Sequence, residues 1–365
     1  MKPATGRVSV RSIARLAEVS PMAVSFALQN RPGVSSATRE RILRIAKELG
    51  YAPDARIGHW MARVRDAKSK DLLPIAWLNT TAEEDAWRHH LYFTPYFEGA
   101  CARALELGYK IEDIWAAAPG MTMRRLAKII YERGIEGAVI TFPARHFRLD
   151  WDHLASVALG AALLAPRLHQ VTADLNFNLL LALKSLRKLG YRRIGICLAR
   201  EVDSASHYTL RSTARDLYHS VSSAQRIPPL FHAHYQRTDR EAEMVVWLKR
   251  YRPEVIVGHN SFIKQWVEAA GYRVPEDVGL VHLALDDDVP DWAGIHSKRR
   301  ETGATAIDQL VASICNHHYG VPKTPLNILI RGSWRNGSTL RTMPKHHLTG
   351  VKSSPPGRPV SRAAG

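Results

Sequence analysis

Cysteine is scarce: the 365 residues hold three, Cys101, Cys197 and Cys315, odd in number and far apart. That excludes a disulfide framework, points to a reducing compartment, and leaves no cysteine pair at metal-ligand spacing. The histidines offer no better site. His89-His90, His317-His318 and His346-His347 are adjacent pairs and His232 and His234 alternate, without a cysteine or carboxylate partner at ligand spacing, so no metal is expected. Asp286-Asp287-Asp288, in a loop ending at Pro290, reads as solvated acidic surface. No run reaches transmembrane length, and MKPATGRVSVR lacks an apolar segment of signal-peptide length, so a cytoplasmic protein without membrane contact is expected. G-x-G-x-x-G, the Walker loop, H-E-x-x-H and G-x-S-x-G are all missing, so neither catalysis nor a cofactor is expected.

Acidic residues are also in short supply, 34 Asp and Glu against 51 Lys and Arg, a formal net charge of +17. The excess is not spread evenly. Residues 1–70 carry 14 basic against 5 acidic side chains, and residues 341–365 carry 5 basic and no acidic ones, which leaves +3 for everything between. Positive charge gathered at the ends is the footprint of a chain that binds phosphate with one part and does something else with the other.

The basic amino end has helical periodicity. Val10, Ile13, Ala14 and Ala17 make one apolar stripe, with Ser9 as its cap. Ser20 followed by Pro21 is a cap and a first-turn proline, and starts a second helix. Val24, Ala27 and Leu28 share its inner face, so Met22, Ser25, Phe26 and Gln29 point outward. Ser35 caps a third helix with Ile42, Ile45, Ala46 and Leu49 inside and Arg39, Arg41, Arg44 and Lys47 outside. Two helices joined by a tight turn and braced by a basic third describe a helix-turn-helix unit that reads duplex DNA; the competing reading is a small helical bundle with a solvated basic face.

This segment resembles the headpiece of the LacI/GalR family of transcriptional regulators. The resemblance rests on Val19-Ser20, Val24-Ser25, Val34-Ser35, Thr38-Arg39-Glu40 and Leu49-Gly50-Tyr51 with Pro53, in that order. It implies that Ser20, Ser35, Thr38 and Arg39 hold phosphates while Met22, Ala23 and Phe26 face base edges. Pro21, Ser25, Ser9, Arg11, Asn30, Tyr51 and Arg56 complete the expected DNA-binding set. Phe26 stands where the family often carries a groove-reading arginine, so contacts to thymine methyl groups and dependence on DNA shape are expected. Residues 53–72 read as a linker with a marginal hinge helix over Asp54 to Val64. There the resemblance places Trp60 as a minor-groove wedge, with packing on the following domain as the alternative.

From Leu73 onward short apolar runs alternate with helical stretches, the signature of parallel sheets covered by helices. Strands are expected at Pro74 to Leu78, Ile111 to Trp115, Gly137 to Phe142, Ser156 to Leu159, Ile194 to Leu198, Glu254 to Val257, Val278 to Leu283 and Leu326 to Ile330. Helices are expected at Tyr96 to Leu107, Met123 to Arg133, Asn176 to Leu189, Arg240 to Tyr251, Phe262 to Ala270 and Thr302 to Tyr319. So many strands suit two lobes. The expected fold class is an amino-terminal all-α helix-turn-helix headpiece followed by a two-lobed α/β domain, resembling periplasmic binding proteins, with parallel sheets. The domains are 1–52, the 53–72 hinge, 73–340 for effector binding and dimerisation, and a basic disordered tail at 341–365.

Open α/β sheets bind ligands beyond the carboxyl ends of their strands. Asn79, Trp87, Tyr92, Phe93 and Phe142 on the first lobe, with His259, Asn260 and Trp292 on the second, are therefore the candidate effector site. The resemblance also implies an aspartate after the strand ending at Leu283, where Ala284 stands, and an arginine after Leu198, where His207, Tyr208, Thr209 and Arg211 are the nearby residues. A sugar grip that has lost its carboxylate points to stacking on aromatic faces. The first functional reading is a homodimeric, DNA-binding transcriptional regulator, a repressor, whose partners are double-stranded DNA and a small effector such as a carbohydrate. The alternatives are a basic architectural DNA-coating protein whose second domain only dimerises, and a soluble sugar-binding or sugar-modifying protein with an accessory helical domain.

Overall fold

The structure, a computed structural model, describes residues 10–28, 33–49, 51, 72–142, 146–161, 163, 165–232, 241–286 and 289–341. The hinge helix, Trp60, Arg56, Ser9, Asn30, His234 and the tail after residue 341 lie outside the described residues.

Three helices open the chain: α1 (Val10–Leu16), α2 (Pro21–Leu28) and α3 (Ser36–Glu48). Their apolar stripes close on one small core of Ile13, Ala14, Ala17, Val24, Ala27, Ile42 and Ala46. The spacing of those residues dictates this packing, since each set shares a single helical face. Between α1 and α2 the Val19 amide donates to Ala14 O at 3.0 Å and the Glu18 amide to Arg15 O at 3.4 Å, with Glu18 at φ +50. A helix end built this way needs a left-handed residue, and glutamate takes the strained place glycine fills more easily.

The rest of the described chain forms two lobes. The first is built from β1 (Leu73–Asn79), α4 (Ala86–His89), α5 (Thr94–Glu106), β2 (Tyr109–Trp115), α6 (Met123–Glu132), β3 (Gly137–Thr141), β4 (Ala155–Leu159) and β5 (His169–Ala173). Next come α7 (Leu175–Lys188), β6 (Ile194–Ala199), α8 (Arg200–Ala205), α9 (Thr209–Ser220), β7 (Leu230–His232), α10 (Glu241–Tyr251), β8 (Val255–Gly258), α11 (Phe262–Ala269), β9 (Gly279–Leu285) and β10 (Ala293–His296), which make most of the second lobe. Then α12 (Arg299–Cys315) and β11 (Asn327–Ile330) return to the first lobe, and β12 (Ser333–Arg335) ends in the second.

One sheet runs β11-β5-β4-β3-β1-β2, all parallel; the other runs β12-β10-β9-β8-β6-β7, parallel except for β12. The two-lobed α/β expectation therefore holds. Central strands β3, β4, β6 and β9 are buried at every position, as sheets covered by helices on both faces require. The chain changes lobe at Asp174, between β10 and α12, and between β11 and β12. These crossings lie together. The Asp174 amide donates to Ile330 O at 2.9 Å, and buried Asn178 joins Leu283 O at 3.1 Å to the Gly332 amide at 3.0 Å.

Strands β5, β10 and β12 and helices α4, α8 and α9 went unforeseen. The strands are short and partly polar, so they lack the apolar runs by which the others are legible. Helix α9 did carry a signal, Leu210, Ala214 and Leu217 on one face, and all three pack in the second lobe's core. The acidic loop is also not what its composition suggested. Asp286 is buried, 4.0 Å from the Arg299 guanidinium and 3.5 Å from the His296 ring, so its charge is met by the arginine rather than exposed on a solvated loop.

Candidate functional site

Two surfaces matter, one on the headpiece and one between the lobes. On the headpiece, Ser20 Oγ accepts the Ala23 amide at 3.1 Å, which starts α2 with Pro21 in its first turn. Ser35 Oγ accepts the Thr38 amide at 3.3 Å and shares a 2.8 Å hydrogen bond with the Thr38 hydroxyl. These hydroxyls cap helices, so their first structural work is to aim two helix amino ends. Met22 is 65% exposed and Arg11 and Pro21 are exposed, while Ala23 and Ser25 are half-buried.

Phe26 departs from the outward placement expected of it. Its ring is half-buried and packs under Gly33, which sits at φ +105, where a Cβ would come within 3.3 Å of the ring. Arg39 turns inward as well, donating to Phe26 O at 3.5 Å and Ala27 O at 3.4 Å. The guanidinium thereby meets the orphan carbonyls at the end of α2. Tyr51 packs against the headpiece core with its amide on Ala46 O at 2.9 Å.

Between the lobes lies a cavity of about 500 Å³, a size that suits a small-molecule ligand. Its aromatic wall comes from the first lobe. Tyr92, Tyr96 and Phe142 have ring centroids 5.2 to 6.1 Å apart. Phe142, just past β3, holds φ +44, a strained conformation for an aromatic residue, and its ring faces Gly160. Strain of this kind persists where surrounding packing over-determines a position that points at a site. The floor is the lobe crossing: Gln170, Asp174 and Asn176. Asp174 Oδ1 caps α7 by accepting the Phe177 amide at 2.9 Å, and Asn176 Oδ1 accepts the Thr213 hydroxyl at 2.5 Å. The second lobe contributes Val202, Ser206, His207, Thr209, His259 and Ala284.

Two histidines of the second lobe are held neutral. Burial, with the Arg299 guanidinium adding to it, lowers the His259 pKa to about 4. Burial also lowers that of His282, whose Nδ1 accepts the Ala284 amide at 3.1 Å, so its ring proton sits on Nε2.

Of the effector residues expected from sequence, Tyr92, Phe142 and His259 line the cavity. Asn79, Trp87, Phe93, Asn260 and Trp292 do not. Asn79 ties down its own loop through Glu83 O and Glu84 O at 2.9 and 2.7 Å. Trp87 stacks on Phe97 at 3.7 Å and donates to Asp113 at 2.6 Å. Phe93 supports the Phe142 ring from behind at 5.0 Å. Asn260 caps α11 through the Ile263 amide at 3.2 Å, and Trp292 is buried edge-on against His282. Sequence reasoning missed Tyr96, Gln170, Asp174 and Asn176. The last three lie on or just past β5, so recognising His169–Ala173 as a strand would have found them.

Comparison with known proteins agrees with this geometry. Residues 9–54 match the lacI family of bacterial regulatory proteins, and residues 183–338 match a periplasmic binding protein-like domain. The chain is 20% identical to the HTH-type transcriptional repressor PurR of Aliivibrio salmonicida over 85% of its length and 93% of the relative's. It is 26% identical to the sucrose operon repressor of Escherichia coli, covering 75% of this chain and 82% of that one. Among solved structures, the transcriptional regulator CelR in complex with cellobiose shares the fold at a TM-score of 0.55 and 18% identity, over 91% of this chain and all of that one (100%). The lac repressor dimer bound to operator and an anti-inducer does so at 0.51 and 17%, over 92% of this chain and 100% of that one.

Proposed function

The chain belongs to the LacI family of bacterial regulatory proteins, and from that premise we propose that it is a cytoplasmic homodimer that represses transcription from an operator-like site and is controlled by an uncharged small effector, of the carbohydrate class, in the cavity between its lobes. The observation that carries the reading is the pairing, in one chain, of a capped helix that presents Met22 to solvent with an aromatic-walled cavity at the crossing of two lobes. Residues 1–52 are assigned to DNA binding, 53–72 to the hinge, 73–340 to effector binding and dimerisation, and 341–365 to a tail. Met22, with Ala23 and Ser25 beside it, faces base edges, while the exposed Arg11, Arg41 and Arg44 supply phosphate contacts. Phe26 and Arg39 set the angle of the reading helix.

The effector stacks one face on Tyr92 and Phe142 and takes its polar contacts from Gln170, Asn176 and His259. Among the described lining residues the fixed charge is Asp174, and no lysine or arginine lines the cavity, which favours neutral over anionic ligands. A ligand that binds one lobe arrangement better shifts the population toward it, and operator affinity changes by that difference alone.

The test uses the full chain. Selection from random duplex DNA followed by footprinting should return one sharp palindrome, whereas uniform coverage would replace repression with architectural coating. Neutral mono- and disaccharides, scored by thermal shift and operator release, should include a binder that their phosphorylated counterparts do not match; preferential binding of the phosphates would overturn the assignment of charge.

A further inference from the structure

A buried cation stands behind the aromatic wall. Arg299 is 1% exposed at the first position of α12, and its guanidinium carbon lies 4.2 Å from the Tyr92 ring centroid. Its Nη2 donates to Ala284 O at 2.8 Å, and its backbone amide to Asp286 Oδ2 at 3.4 Å, with Nε 4.0 Å from the same oxygen.

These partners belong to different lobes. Tyr92 precedes α5 on the first lobe, while Ala284 and Asp286 end strand β9 of the second. Helix α12 itself is rooted in the first lobe, where Ala306, Ile307 and Leu310 lie in that sheet's core. It meets α5 backbone to backbone, since a Cβ on Gly303 would collide with Tyr96 O and one on Gly99 with Arg300 O. Arg299 thus stands where the chain crosses between the lobes: its amide and guanidinium are held by Asp286 and Ala284 of the second lobe, and its guanidinium backs the Tyr92 ring of the first. Both Tyr92 and Ala284 line the cavity.

Such a contact resists gradual movement. A guanidinium over an aromatic face, donating to a buried carbonyl and paired with a buried carboxylate, is stable as a unit. If the lobes part, the guanidinium must leave either the Tyr92 face or its buried carbonyl and carboxylate, and either loss is costly for a buried charge. Packed interfaces of this type have discrete arrangements rather than a continuum.

We propose that Arg299 is a positioning residue that latches the two lobes together: it fixes the Tyr92 ring against the cavity and holds the lobe arrangement through Ala284 and Asp286, so that an occupant of the cavity alters lobe spacing through this contact. The regulatory meaning rests on the cavity being the effector site, but the latch can be tested without any effector.

Spin labels at Tyr131→Cys on α6 and Val246→Cys on α10, both exposed and in opposite lobes, report interlobe distance in the full chain with Cys101→Ser and Cys315→Ser. Dilution with excess unlabelled protein keeps the distance within one subunit. The unaltered latch should give one narrow distance. Arg299→Met should add a second, displaced population. Arg299→Lys, which keeps the charge but not the planar stack, should add a smaller one, and decides the matter alone if the methionine variant does not fold. A merely structural residue would lower the melting temperature and leave the distance where it was, and that result in a folded variant overturns the proposal. Failure to find any ligand for the cavity would count against the effector reading and leave the distance measurement untouched.

Discussion

Acidification should loosen the second lobe through His259, and the size of the effect can be worked from its surroundings. The imidazole is enclosed at the cavity wall with Arg299 nearby, and it stays neutral in the folded chain down to about pH 4. In the unfolded chain it titrates near the usual value of about 6.5. Between those values the unfolded state binds the additional proton, so stability that is fully present above about pH 6.5 is lost as pH falls toward 4. At about 1.4 kcal/mol per unit, the loss attributable to this group is roughly 2 kcal/mol at pH 5 and roughly 3 kcal/mol at pH 4. His282 shifts in the same direction and adds to it. The measurement is denaturant unfolding of the full chain and of His259→Gln at pH 7 and pH 5, monitored by circular dichroism. Carboxylates that also titrate are common to both proteins and cancel in the comparison. The fall in stability between the two pH values should be smaller in the variant by about 2 kcal/mol. An equal fall in both would mean that the folded protein accommodates the protonated ring, and the neutral assignment would be wrong.

Three further outcomes concern the headpiece. Glu18→Gly removes a left-handed glutamate at φ +50, and after the extra chain entropy of glycine is subtracted the gain should be about 0.5–1 kcal/mol. It would be read as slower hydrogen exchange of the α1 amides by about two- to fivefold, and unchanged exchange would refute the strain. Met22→Ala should stay within about 0.5 kcal/mol of the parent in stability yet change the half-site returned by random-DNA selection. Phe26→Ala, by emptying the space under Gly33, should cost about 1–2 kcal/mol; a thermally unaffected Phe26→Ala would place the ring outside the packing seen here.

The headpiece was legible almost residue by residue because its signals are local. Ser20, Pro21 and Ser35 act within three residues of themselves, and the apolar stripes need only a helical period to be assigned to one core. Phe26 and Arg39 escaped for a reason of a different kind. Helical periodicity says which side of α2 a residue occupies, but whether that side meets solvent depends on the Gly33 turn and on a side chain from α3 thirteen positions away. In the lobes, strands built on an apolar run announced themselves, even at four or five residues, whereas β5, β10 and β12 did not, since polar residues or glycine interrupt their apolar ones.

The cavity was legible only as far as strand ends could be located. Tyr92, Phe142 and His259 were reached from the carboxyl ends of the strands, and all three line it. The same rule also gathered Trp87, Asn260 and Trp292, whose side chains turn to Asp113, the start of α11 and His282 instead. A strand end fixes a Cα, whereas the loop after it fixes the direction of the side chain. The position of Ala284 makes the same point from the other side. The resemblance implied a carboxylate there, gripping ligand hydroxyls. In this chain the Ala284 carbonyl instead receives a buried guanidinium whose charge is met a short way along the chain by Asp286. A carboxylate at 284 beside Arg299 would pair with it and compete with any ligand for the same donor. With alanine there, the cation is met without a side chain entering the cavity, and on the proposed effector reading the polar grip on a ligand falls to Gln170 and Asn176. Gln170 lies on β5 of the first lobe and Asn176 on α7 of the second, so on that reading ligand recognition and lobe arrangement form one equilibrium.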